Sequence, residues 1–86
     1  MVRRRQPTEW EAAMGTRLRE LRGRAGLTQE NLARAIDVTV GAVRKWEAGQ
    51  STPSLERAVR LAAALGVTVD ELAGVGGPGR KRGGAR

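Results

Sequence analysis

Arg44 and Lys45 follow a run of small residues, Thr39-Val40-Gly41-Ala42-Val43. At helical spacing Val40, Gly41 and Arg44 share one face, with Lys45 at its edge and Thr39 at its start. An arginine placed this way can donate two hydrogen bonds to guanine O6 and N7, and a lysine can reach a base or a phosphate. Val40 can touch a thymine methyl group, and Gly41 lets the helix approach closely. The same spacing predicts Val43 and Trp46 on the opposite, inward face, so Trp46 reads as core and not as a base-stacking residue. Gln29, and the neutral loop donors Gln50 and Ser51 with Thr52, are placed to meet phosphates beside such a helix. This is the chemistry of a helix entering the DNA major groove.

Other chemistries find no support in the sequence. It contains no His and no Cys, so acid–base or nucleophilic catalysis, a disulfide framework and a Cys-based metal site all lack their usual groups. The neighbouring acids Asp70 and Glu71 read as helix-start charges, because adjacent helical residues do not face one site. No enzyme activity, cofactor or metal is expected. No apolar run approaches the roughly 20 residues a membrane span requires. The basic start, MVRRRQPTEW, lacks the apolar segment of a secretory signal. The expected location is cytoplasmic, on the nucleoid, with no membrane partner.

The elements that must position these residues read as five helices. Thr8 to Glu11 has the pattern of a capping box, after which Trp10, Met14, Leu18, Leu21 and Ala25 recur on one face up to a stop at Gly26. Thr28 caps the second helix, which turns Leu32, Ala33 and Ile36 inward. Asp37-Val38 forms the turn, Thr39 caps the third helix and Gly49 stops it. Pro53 suits the first position of the fourth helix, whose inward face is predicted as Leu55, Val59, Ala62 and Leu65, with Gly66 as its stop. Thr68 to Glu71 forms a second capping box opening a short fifth helix around Leu72. No alternating strand pattern occurs. The fold class is all-α, a compact five-helix bundle with a helix-turn-helix in helices 2 and 3.

Charge divides the chain. Of its net +7, Arg3, Arg4 and Arg5 lie near the start and Arg80, Lys81, Arg82 and Arg86 near the end, while residues 9–73 hold nine basic and nine acidic side chains. The expected organisation is a disordered basic arm at 1–7, a folded domain at 8–73 and a disordered Gly/Arg-rich tail at 74–86. Basic arms strengthen nucleic-acid binding by counterion release, and they also solubilise.

Leu21-Arg22, Gly26-Leu27-Thr28-Gln29, Leu32-Ala33, Ile36, Val43, Trp46-Glu47, Gly49, Pro53-Ser54-Leu55, Leu61-Ala62, Leu65-Gly66-Val67 and Leu72 follow one another at unbroken spacing. Over this span, about residues 18–72, the chain resembles the helix-turn-helix domains of the lambdoid phage repressor and Cro superfamily, also called the xenobiotic-response-element family. The resemblance implies that Gln29 holds a phosphate. It implies that Thr39, Val40, Gly41, Arg44 and Lys45 meet the groove. It also implies that Arg22 and Glu47 form a partly buried ion pair, with Arg22 aimed toward a phosphate as well. The chain departs from the pattern in two respects. Asp37 stands where a turn glycine is usual, which predicts a strained turn, and Val40 and Gly41 stand where many relatives carry polar base readers.

The reading is a sequence-specific transcriptional regulator, in particular a repressor, that inserts residues 39–48 into the major groove of double-stranded DNA. At this length no ligand-sensing domain is expected. A homodimer through Val69, Leu72 and Val75 is one partner arrangement, although Val69 and Leu72 read first as residues that close the monomer core. The alternative function is a protein–protein adaptor, either an antitoxin or a coactivator bridging factor, whose partner supplies the specificity.

Overall fold

Each helix begins where a Ser or Thr hydroxyl can accept a backbone N–H three residues on. In the computed structural model, which describes residues 8–74, the helices are α1 (Glu9–Arg24), α2 (Gln29–Ala35), α3 (Val40–Glu47), α4 (Leu55–Leu65) and α5 (Val69–Ala73). Their caps are Thr8, Thr28, Thr39, Ser54 and Thr68, and each accepts from the N–H of the third helical residue. Thr8 and Thr68 form complete capping boxes with Glu11 and Glu71. The described residues form no strand. Of the segments expected to be disordered, 1–7 and 74–86, residues 1–7 and 75–86 lie outside the described residues, whereas Gly74 is the C-cap of α5.

The turn between α2 and α3 keeps its geometry despite lacking glycine. Asp37 has φ 61°, the only positive φ at a non-glycine position among the described residues. Val38 N–H donates to Ala33 O at 2.9 Å across it, closing α2. Asp tolerates this left-handed conformation better than most residues, so the strain predicted for the position is present and the turn survives it.

The core is formed by Met14, Leu18 and Leu21 of α1, Leu32, Ala33 and Ile36 at α2, Val43 and Trp46 of α3, Leu61 and Leu65 of α4, and Leu72 of α5. α3 packs on α1 and α2, and α5 packs on α1 and α4. Four expectations need correction. Leu55 is 75% exposed and Val59 51% exposed, and α4 instead buries Leu61, Ala62 and Leu65. Ala62 and Leu65 of the expected face are buried as predicted, and Leu61 takes the place of Leu55 and Val59 in the core. Pro53 precedes the cap Ser54, so it is not the first helical residue. Trp10 is half exposed, because it sits one turn beyond the end of the core. Ala25, the C-cap of α1, is exposed.

Ala33, predicted to face inward, is buried. Gly15 marks a close helix approach, where α1 meets the end of α3 backbone to backbone. A Cβ there would stand 2.5 Å from Glu47 O and 2.7 Å from Trp46 O. A glycine inside a helix is unfavourable by about 0.5–1 kcal/mol relative to alanine, and that cost is the signal that could have exposed it. Gly15→Ala is therefore expected to destabilise the domain by about 1–3 kcal/mol. Gly23→Ala, in the same helix with nothing within 4 Å of its added methyl, should stabilise it by about 0.4–1 kcal/mol. Thermal unfolding of the two variants will show opposite shifts in midpoint.

Candidate nucleic-acid interface

The surface of α3 is set by the residues it hides. Val43, Trp46 and Glu47 are buried, so Arg44 and Lys45 are left exposed and Gly41 partly so. Val40 packs partly against the core, and only part of its surface faces solvent. The Thr39 hydroxyl is engaged as the helix cap, accepting from Ala42 N–H at 3.1 Å. Gln50 is exposed and Ser51 half-buried in the loop that follows α3. Val40, Gly41, Arg44 and Lys45 thus lie on α3 with Thr39 as its cap, and Arg44 donates to Gln29 of α2.

Beneath this surface lies one buried carboxylate. The Glu47 side chain is 3% exposed and that of Arg22 18%. Arg22 Nε donates to Glu47 Oε2 at 2.6 Å and Nη2 donates to Oε1 at 3.1 Å, a bidentate pair. Arg22 Nη1 also donates to Leu27 O at 3.0 Å, on the connection into α2. Gln29 Nε2 donates to Glu47 Oε1 at 2.9 Å. One carboxylate therefore joins α1, α2 and α3. With Nε2 turned inward to Glu47, Gln29 presents its Oε1 outward, where it accepts from Arg44 Nε at 3.4 Å.

Electrostatics follow from the same contacts. Burial pushes the Glu47 carboxyl up. Hydrogen bonds from Arg22 and Gln29, with the charges of Arg22 and Arg19, outweigh it and hold the group below its ordinary 4.5. The hydrogen bond to Glu47 in turn raises the Arg22 guanidinium above its ordinary value, against partial burial. Glu47 is the last residue of α3, where the helix dipole disfavours an anion, so Arg22 offsets that cost too.

The expected dimer surface is only partly available. Leu72 is fully buried in the core, whereas Val69 lines an apolar groove with Trp10, Pro53 and Leu55. Val75 lies outside the described residues. Among the described residues no group of His, Cys, Asp or Glu could hold a metal ion, and no helix is long and apolar enough to cross a membrane.

A helix-turn-helix family model, HTH_3, matches residues 18–72. The chain belongs to this helix-turn-helix family. Among its relatives is the HTH-type transcriptional activator BcrR of Enterococcus faecalis, 39% identical over 56 residues that make up 65% of this chain and 28% of that protein. The chain spans 28% to 52% of the length of the first curated relatives it matches. The restriction-modification controller protein C.AhdI from Aeromonas hydrophila superposes with a TM-score of 0.68 at 41% identity, covering 71% of this chain and 92% of that one. The P22 c2 repressor, in complex with a synthetic operator, superposes with a TM-score of 0.66 at 30% identity, covering 69% and 89%.

The buried pair yields two measurable consequences. The Glu47 pKa is depressed in the folded state, so its stabilisation is complete above the unfolded value and is lost as pH falls from 4.5 through the folded pKa. Acid unfolding should be steeper over that window in the parent than in Glu47→Gln. Arg22→Ala strands a carboxylate in the interior and is expected to cost about 3–5 kcal/mol. Arg22→Met with Glu47→Leu should recover much of that stability in denaturant titration.

Proposed function

We propose that the domain is a sequence-specific DNA-binding transcriptional regulator that places α3 in the major groove. The observation that carries this reading is the exposed pair Arg44 and Lys45 on a helix whose opposite face is pinned by a buried ion pair. A helix held on both neighbours presents its side chains in one geometry, as base readout requires. Thr39, Val40, Gly41, Arg44 and Lys45 are the proposed base-contacting set. Arg22, Gln29, Gln50 and Ser51 are the proposed phosphate contacts. One amide hydrogen of Gln29 is already committed to Glu47, which leaves the other for that role. The likeness to the P22 c2 repressor, whose complex contains an operator, supports the reading.

Repression is the proposed sign of regulation, and the arms at 1–7 and 74–86 are proposed to add sequence-independent attraction. The body is electrically neutral, and those segments carry the whole excess of positive charge. A second copy is proposed to pair through the groove at Val69, Trp10 and Leu55. No observation favours the adaptor reading over this one.

Selection of bound duplexes from a random pool tests the proposal. The expected result is one enriched motif bound ~10³-fold or more above random duplex at fixed salt. If two copies bind together, half-sites will lie about 34 Å apart. Arg44→Ala and Lys45→Ala should each relax base preference at a defined position. Unaltered preference in both variants would refute the α3 reading, and absence of any enriched motif would favour an adaptor. Deleting residues 1–7 should weaken all duplexes alike and flatten the salt dependence, by about 0.9 in log–log slope for each phosphate that is no longer neutralised.

A further inference from the structure

We propose that Gln29 and Glu30 are positioning residues that orient Arg44 for base recognition, so that α2 contributes to specificity without touching a base. The inference rests on the reading of α3 as the base-contacting helix. Arg44 is well solvated, and a long side chain in water samples many rotamers. Here one edge of its guanidinium is occupied. Nε donates to Gln29 Oε1 at 3.4 Å, and Nη2 lies 3.6 Å from Glu30 Oε2. These are the two atoms of the side-on edge of the guanidinium fork. The end-on edge, Nη1 with the outer hydrogen of Nη2, has no partner among the described residues. Either edge of an arginine can pair with guanine O6 and N7, and the structure leaves the end-on edge for it.

The orientation of Gln29 has a cause further inside. Glu47, an acceptor only, is met by the amide nitrogen of Gln29 at 2.9 Å. The amide oxygen must then point away, toward Arg44. The chain of contacts runs Arg22, Glu47, Gln29, Arg44, from the interior to the exposed face. Glu30 supplies the second acceptor and a charge. Both contacts to Arg44 are long and wet, so they bias conformers and do not lock them. An exposed pair of this kind is worth about 2–5-fold in a binding ratio.

Glu30 exerts two effects on a DNA-facing surface, and they can be separated. Its negative charge repels phosphate whatever the sequence, so removing it strengthens binding to every duplex. Its hold on Arg44 affects only the position that Arg44 reads. The test uses the selected duplex, its single-base variants and a random duplex, with the full chain at fixed salt. Glu30→Ala is expected to bind random duplex more tightly while discrimination at the Arg44-dependent position falls about 2–5-fold. Glu30→Gln, which keeps an acceptor but no charge, should retain part of that discrimination. In an Arg44→Ala background, Glu30→Ala should leave discrimination unchanged. Equal strengthening on all duplexes with intact base preference would overturn the cradle and leave Glu30 as a repelling charge only. Intact base preference in Arg44→Ala itself would instead overturn the reading of α3, which makes the two failures distinguishable.

Discussion

The Glu47 carboxylate is the interaction on which the domain's geometry depends. It lies at the end of α3, is nearly removed from solvent, and accepts from side chains on α1 and α2. An unpaired carboxylate there would be costly to bury, so the fold is committed to bringing Arg22 and Gln29 to it. That commitment fixes the rotation of α3, because Val43, Trp46 and Glu47 must all point inward together. The outward display of Arg44 and Lys45 is the complement of the same rotation. Gly15 permits it by letting the backbones of α1 and α3 touch.

The pair also connects the interior to the surface. Gln29 commits its amide nitrogen to Glu47, and its oxygen is thereby turned toward Arg44. A buried ion pair is a weak source of net stability, since desolvation consumes most of its Coulombic gain. Its value here is geometric. Apolar contacts alone would tolerate small rotations of a helix of eight residues, whereas a bidentate pair with a third donor does not. Charge is divided unevenly along the chain: residues 9–73 sum to zero, and the net positive charge lies before and after them.

Much of the architecture is legible in the residues. The capping threonines, the stop at Gly26, the left-handed Asp37 and the buried Trp46 stand where the sequence pattern predicts them. For α4 the pattern places Ala62 and Leu65 inside correctly and Leu55 and Val59 wrongly, because Leu55 and Val59 share helical spacing with Ala62 as well as Leu61 does with Leu65, and periodicity alone cannot rank them. It places Trp10 inside because it does not show where the core ends. Gly15 shows in the sequence only as an unfavourable glycine inside a helix, as Gly23 does, and what separates them is the backbone across from Gly15.

The sequence by itself determined where most of the helices begin and end and which residues share the outer face of α3. Those features depend on groups no more than about four residues apart, and such groups meet in any context that allows a helix. Tertiary structure alone decided which leucines of α4 are buried, how closely α1 and α3 approach, and which way Gln29 and Arg44 face. Glu47 finds its partners 25 and 18 residues away, and Arg44 meets Gln29 from 15. Contacts at that separation exist only once the chain has closed around its core, so no local pattern encodes them.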